Sequence, residues 1–379
     1  MKFVFFGGYH PAYPRSAVFR RGLRLDGAEV RECRAGTNFK AWMRYPLLFL
    51  SWFRSGGAAG ITAGQPCYIF VPEFCQKDMP LAWFLSLLSS KKVIFDPLAS
   101  RYETKIVDWK RKPADSPSAW WNFKIDTMAF RLADLVLADT AAHKDYYCRE
   151  YGVKPGKVEV LPLGYDDELF KPGNVPQSSF GRLSAQHPRT IPAAVAGEFR
   201  ALFFGSFLPL HGADIIIEAA NIVAGRDPAV KFLMIGSGQT LPGIKAAASG
   251  LKNVDFLDWL PQAELPPAIE TADVCLGIFG RTEKTRRVVP HKVFQSMGMR
   301  KPVISARTPA AEELFTHRKD IYFCDEPLPR TLAKAILELK NDPALREKIA
   351  AEGYELVRVK HSPQAVADRL IQAARARFG

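Results

Sequence analysis

The sequence has little of what would tie a chain to a bilayer interior, a metal or an oxidising compartment. It has no uninterrupted apolar run of roughly 18 residues, the minimum for a bilayer-spanning helix. Its six cysteines (Cys33, Cys67, Cys75, Cys148, Cys275, Cys324) form no C-x-x-C pair and no ligand spacing with histidine. Cys275 and Cys324 fall in apolar strand-like runs, so all six are expected to be reduced and structural. Met1 leads directly into an apolar run with no cationic region or cleavage site, and a soluble cytoplasmic protein is the expectation. The G-x-G-x-x-G spacing of a dinucleotide site is missing. So are helix-turn-helix, zinc-finger and RNA-sheet signatures, which leaves the formal charge of +13 without a nucleic-acid assignment.

What is present points to an α/β chain. A length of 379 residues exceeds what one hydrophobic core serves, and 47% hydrophobic residues supply two. The positive charge is uneven: residues 1–165 hold 24 Lys plus Arg against 15 Asp plus Glu, and the remainder 28 against 24. The first half is thus expected to face something anionic. Buried strands are predicted at Lys2 to Phe6, Pro66 to Val71, Lys92 to Phe95, Leu135 to Ala138 and Val158 to Leu161. Their spacing suits the right-handed crossovers of a doubly wound parallel sheet. Ligands of such sheets bind at the carboxyl ends of strands. There the sequence places Gly7 and Gly8, the aromatic loop of Tyr9, Tyr13, Pro14 and Arg15, and three acidic positions, Glu73, Asp96 and Asp139. Thr140 reads most simply as a helix N-cap, and Asp96 as either a chemical group or a turn cap. The acidic pair Asp166-Asp167 reads as a turn rather than a metal site. Residues 173–198, rich in Pro, Ser, Gly and Gln, read as a linker or loop.

A second sheet is predicted from Arg200 to Phe204, Lys231 to Ile235, Val254 to Trp259, Val274 to Phe279 and Val303 to Ser305. Just before its last strand comes RRVVPHKVFQSMGMRKPVISA, residues 286–306. Pro290 suits the first turn of a helix that then carries Val293, Phe294, Met297 and Gly298 at helical spacing. The first turn of that helix presents unpaired N–H groups beside Arg286, Arg287, His291 and Lys292, a combination suited to a phosphate or diphosphate.

This segment, together with VEVLPLGYDDELFKP (Val158 to Pro172) and the Gly205-Ser206 turn, resembles the family 4-like (group 1) glycosyltransferases of the GT-B fold. The resemblance implies two doubly wound Rossmann-like domains facing a central cleft: an acceptor-side domain over 1–170, a linker over 171–199, and a nucleotide-sugar domain over 200–361. The helix over 362–379 would pack back on the first domain. It also implies retaining, metal-independent transfer from a nucleotide-diphosphate sugar to a glycan, lipid-linked or small-molecule acceptor, with no other cofactor. Asp96 and Glu73 are the catalytic candidates. Gly205, Ser206, His211, Gly212, Gly236, Gly238, Asp258, Arg287, His291, Lys292 and Gln295 are expected on the donor side, and Gly7, Gly8, Tyr13 and Arg15 on the acceptor side. Ser206 and His211 stand where the family ordinarily has Arg and Lys, and Arg287 and Gln295 where it has two glutamates. A non-catalytic nucleotide-sugar-binding protein and a sugar-nucleotide epimerase on the same fold are the alternatives.

One further stretch stands out. KAWMRYPLLFLSWFR, Lys40 to Arg54, sets Trp42, Met43, Phe49, Trp52 and Phe53 between Lys40, Arg44 and Arg54, with Pro46 expected to limit any one helix. It reads either as a core helix with basic ends or as a segment lying on an anionic membrane surface, the latter favoured by Lys91-Lys92 and by Lys110, Arg111 and Lys112. A peripheral location on the inner face of the membrane would follow from the second reading.

Overall fold

The computed structural model describes residues 1–54, 65–173 and 197–379, so most of the linker expected over 171–199 lies outside the described residues. The chain divides into two compact units, Met1–Gly164 with His361–Gly379, and Tyr165–Lys360.

The first unit is built on a six-stranded parallel sheet in the order β2-β1-β3-β4-β5-β6. The strands are β1 (Lys2–Gly7), β2 (Glu29–Arg34), β3 (Cys67–Val71), β4 (Lys92–Phe95), β5 (Leu135–Ala138) and β6 (Val158–Val160). β1 and β3 to β5 are continuous apolar runs because helices cover both faces of a parallel sheet. Phe3, Phe5, Phe6, Phe70 and Phe95 are fully buried, and each contributes about 1.5–3 kcal/mol relative to exposure. β2 (EVRECR) was not expected: it is an edge strand that buries only Cys33, so it shows no apolar run. The helices are α1 (Pro14–Leu25), α2 (Ala41–Arg54), α3 (Met79–Ser89), α4 (Pro117–Leu132) and α5 (Ala141–Tyr151), with a helical turn at Glu103–Asp108. α2 continues through Pro46, contrary to the expectation. Pro46 is exposed, and its missing N–H costs one helical bond while Leu48 and Trp52 anchor the helix from its other side.

The second sheet has the order β12-β11-β10-β7-β8-β9, all parallel. Its strands are β7 (Phe199–Phe204), β8 (Val230–Ile235), β9 (Val254–Leu257), β10 (Val274–Leu276), β11 (Val303–Ala306) and β12 (Tyr322–Cys324). Covering it are α6 (Ala213–Ala224), α7 (Leu241–Ala247), α8 (Leu265–Glu270), α9 (His291–Gly298), α10 (Pro309–Glu312), α11 (Pro329–Asn341) and α12 (Pro343–Lys360). α6 turns Ile215, Ile216, Ala219, Ala220 and Val223 inward, the periodic face that marks it in the sequence. The final helix, α13 (Pro363–Phe378), returns to the first unit. Its apolar face of Val366, Leu370, Ile371 and Ala374 is buried in the first unit's core, and α1 approaches it so closely that a side chain at Gly22 would strike the Pro363 carbonyl.

Candidate functional site

In the second sheet the strand order reverses between β7 and β10, the kind of point where ligands of open α/β sheets bind. The chain leaves β7 at Gly205, whose φ of 135° is a conformation that L side chains rarely adopt. Beside it, the loop after β8 approaches so closely that a Cβ on Gly236 would lie 1.9 Å from the Gly205 carbonyl oxygen. Gly238 does the same against the backbone of Phe207. These two glycines therefore serve the seating of one loop on the other.

α9 begins one residue later than the sequence suggested, with Pro290 as the residue before its first turn. Lys292, its second residue, is buried, and its Nζ has no hydrogen-bond partner among the described residues. The amine lies 3.7 Å from the centre of the Phe203 ring and would stand 3.3 Å from a Cβ at Gly205. A glycine at 205 thus leaves the room this lysine fills. Burial holds the Lys292 amine well below its ordinary range. An unpaired, desolvated amine beside a helix N-terminus is an arrangement that gains most by the arrival of an anion.

His211 lies at the same turn. Its Nδ1–H donates to the Ser206 carbonyl, and burial, with Lys292 and Lys284 adding repulsion, pushes its pKa well below the usual value. The imidazole is neutral here and ties the Gly205-Ser206 turn to the start of α6, so it does not act as a standing positive charge. Gly212, at φ 63°, packs on the backbone of Phe279 and Gly280 beyond β10. Gln295 is buried on α9 and donates to Gln262 Oε1 at 3.4 Å. Arg287 faces Glu283 at 3.8 Å. His291 is half-buried at the start of α9, and Asp258 is exposed just beyond β9. The structure thus gathers Gly205, Ser206, His211, Gly236 and Lys292 at one place.

In the first unit, strand ends carry a second polar cluster. Arg15 on α1 donates from Nε to Asp96 Oδ2 at 2.6 Å and from a terminal nitrogen to the Leu161 carbonyl at 3.1 Å. Both partners are buried, so Asp96 is held in an ion pair, with the backbone of Leu98 beyond Pro97 also favouring its charged form. Ser16 donates to Glu73 Oε1 at 2.8 Å, while the other carboxyl oxygen has no partner among the described residues. Burial, reinforced by Asp96, pushes Glu73 up to about 8, so at neutral pH it holds a proton. Burial raises Asp96 as well, against the pull of Arg15, so two neighbouring carboxyl groups are both shifted upward, as is common where acid–base chemistry is done. Tyr13 is half-buried and meets the exposed Phe74 edge-on with ring centres 5.3 Å apart.

Several features were missed or misassigned. The Gly8 amide donates to Asp78 Oδ2 at 2.9 Å, and Arg44 pairs with the same carboxylate at 2.9 and 3.0 Å. Gly8 is thus spent on an internal bond, and Arg44 is a buried partner of Asp78 rather than a surface cation. Thr140 does cap α5, accepting from the His143 amide. Beside it, His143 Nδ1 meets Asp139 at 2.6 Å and Nε2 lies 3.4 Å from Glu103. Burial opposes charge there, but Asp139 and Glu103 outweigh it and raise His143 to about 9. The spacing of Asp139 and His143, one helical turn, was the available signal. Asp166 accepts from the amides of Glu168 and Leu169, which settles its role as a turn residue.

Residues 216–372 match the glycosyl transferase-like family. Among curated relatives, the D-inositol 3-phosphate glycosyltransferase of Thermomonospora curvata is 25% identical over 63% of this chain and 56% of its own. A GDP-mannose-dependent monoacylated alpha-(1-6)-phosphatidylinositol monomannoside mannosyltransferase of Corynebacterium glutamicum is 24% identical over 56% of this chain and 54% of its own. The chain thus spans little more than half the length of these relatives. Among solved structures, Anabaena HepE in complex with UDP-glucose superposes with a TM-score of 0.70 at 16% identity, over 99% of this chain and 100% of that one. Sucrose-phosphate synthase from Thermosynechococcus elongatus gives 0.70 at 15% identity, over 100% and 98%. The chain has the GT-B fold, and its residues 216–372 are similar to the glycosyl transferase-like family.

Proposed function

We propose that the chain transfers a sugar from a nucleoside-diphosphate sugar to a hydroxyl acceptor, with retention of configuration and without a metal or other cofactor. The observation that carries the reading is Lys292, a buried amine without a hydrogen-bond partner among the described residues, set over Gly205 beside the N-terminus of α9. The diphosphate lies against Lys292 and the first amides of α9, and Gln295 with Arg287 serves the ribose and the sugar. Burial lowers the pKa of this amine, and an anion arriving beside it favours the protonated form. As the bond from the anomeric carbon to the diphosphate breaks, negative charge grows next to this fixed cation. The acceptor oxygen bonds to the same face of the anomeric carbon, and its proton leaves with the departing phosphate. The acceptor, a glycan, a lipid-linked sugar or a small molecule, belongs to the first unit, where Arg15, Asp96 and Glu73 meet.

Peripheral contact with an anionic membrane through residues 40–54 is part of the proposal. Its support is that Trp42, Met43, Leu47, Leu50 and Phe53 are exposed on α2, with Lys40 and Arg54 at its ends. Co-sedimentation with anionic vesicles at low salt, lost at high salt, tests this part. Transfer itself is tested by incubating the protein with labelled nucleotide sugars and a cell-envelope extract. Label entering acceptor material with one sugar, and lost in Lys292→Met, supports transfer. Binding with no product from any sugar favours the non-catalytic alternative, and conversion of the free nucleotide sugar without acceptor favours an epimerase.

A further inference from the structure

Of the 19 exposed large hydrophobic side chains among the described residues, 12 lie on α2, α3 and α4. α2 contributes Trp42, Met43, Leu47, Phe49, Leu50 and Phe53. α3 adds Trp83, Phe84, Leu87 and Leu88, and α4 adds Trp120 and Trp121. These helices also bury apolar residues inward, so each is apolar on two sides, which a surface helix in water is not. Their only carboxylate, Asp126, is buried, whereas Arg54, Lys124 and Arg131 are exposed.

Within this surface the N-terminal half of α2 and the middle of α4 border a groove of about 570 Å³. Trp42, Trp121, Ile125 and Met128 line its apolar part, and Lys40, Lys77 and Lys124 are the charged residues on it. No carboxylate lines it. The Tyr45 hydroxyl donates to the Lys77 carbonyl at 2.6 Å, fixing α2 to the turn that carries Lys77. Lys77 is half-buried, and burial together with Arg101 and Arg44 lowers its pKa. Lys105 is lowered too, by burial and by Arg101 and Lys77. Cations crowded until they depress one another are relieved by an anion.

We propose that this groove seats a single anionic membrane phospholipid, its phosphate among Lys40, Lys77 and Lys124 and its acyl chain along Trp42, Trp121 and Met128. The inference rests on the membrane contact proposed for α2 and narrows it from a surface to a site; it is independent of glycosyl transfer. A zwitterionic headgroup sets its own cation against the lysines, and a free phosphate leaves the tryptophans in water.

The test is a tryptophan-fluorescence titration of the full chain with dihexanoyl phosphatidic acid kept below its micelle concentration. Dihexanoyl phosphatidylcholine and inorganic phosphate are titrated in parallel, and vesicle co-sedimentation is run beside them. Saturable binding of phosphatidic acid at least about tenfold tighter than phosphatidylcholine is expected, with no saturation by phosphate at the same concentrations. The double variant Lys77→Gln/Lys124→Gln should lose about tenfold or more, and Lys348→Gln, on an exposed site of the second unit, nothing. Equal binding of both lipids, equal binding by phosphate alone, or an unaffected double variant overturns the site. Anionic vesicles binding while monomeric lipid does not would overturn the groove and leave the membrane surface standing. Sedimentation equilibrium showing a dimer that Trp121→Glu dissociates would assign the face to a second copy instead.

Discussion

Replacing Glu73 by glutamine isolates one buried carboxyl group whose effect on stability has a definite sign. Glu73 follows β3, is 2% exposed and keeps one hydrogen bond, from Ser16 at 2.8 Å. Burial raises it from 4.5 to about 8. In the unfolded chain the group loses its proton near 4.5, so between that pH and 8 the folded state binds more protons than the unfolded state. Stability from this group is therefore fully present below pH 4.5 and is lost as pH rises through 8. At about 1.36 kcal/mol for each tenfold change in acidity, the loss across that window is bounded at about 5 kcal/mol. Glu73→Gln keeps an acceptor for the Ser16 hydroxyl and removes the titration. Urea unfolding of both proteins at intervals from pH 5 to 8.5 measures the difference, and titrations common to both, such as that of His143, cancel. The variant should gain on the wild type as pH rises, by several kcal/mol at the top of the range. Parallel curves would refute the assignment, and a wild type that gains on the variant would reverse it.

Other buried pairs give further outcomes. Arg15→Met leaves Asp96 buried without its partner and should destabilise the first unit by about 3–5 kcal/mol, read from urea midpoints at pH 7. His143, raised to about 9, contributes stability present below its unfolded value of 6.5 and lost as pH passes 9, so His143→Gln should cost most at pH 6 and least above 9. Gln295→Ala should weaken the bare nucleoside diphosphate and its sugar alike, whereas Arg287→Ala should act mainly on the sugar-bearing ligand; calorimetry with equal losses in both variants would contradict that division.

Much of the architecture was legible because parallel strands buried on both faces must be apolar runs, and ten of the twelve strands among the described residues begin or end within two residues of a predicted run. β2 was illegible because an edge strand buries one side chain, Cys33, and pairs by its backbone. Lys292 was legible because helix starts and basic residues are local features of sequence. What those features could not tell is that Lys292 is buried and that His211 is neutral, since both follow from packing against β7. Arg44 looked like a surface cation because its partner Asp78 lies 34 positions away. The contact of His143 with Glu103 forms only when α5, which follows β5, meets the helical turn that follows β4.

The most direct measurement is calorimetric titration of wild type and Lys292→Met with a panel of nucleoside diphosphates, each in two buffers of different ionisation enthalpy. The account predicts that at least one diphosphate binds with net proton uptake, and that Lys292→Met weakens it by about 10- to 150-fold, as for loss of a hydrogen bond to a charged group. The buffer-dependent heat should vanish in the variant. Undiminished affinity in Lys292→Met, or no binding by any member of the panel, would contradict it.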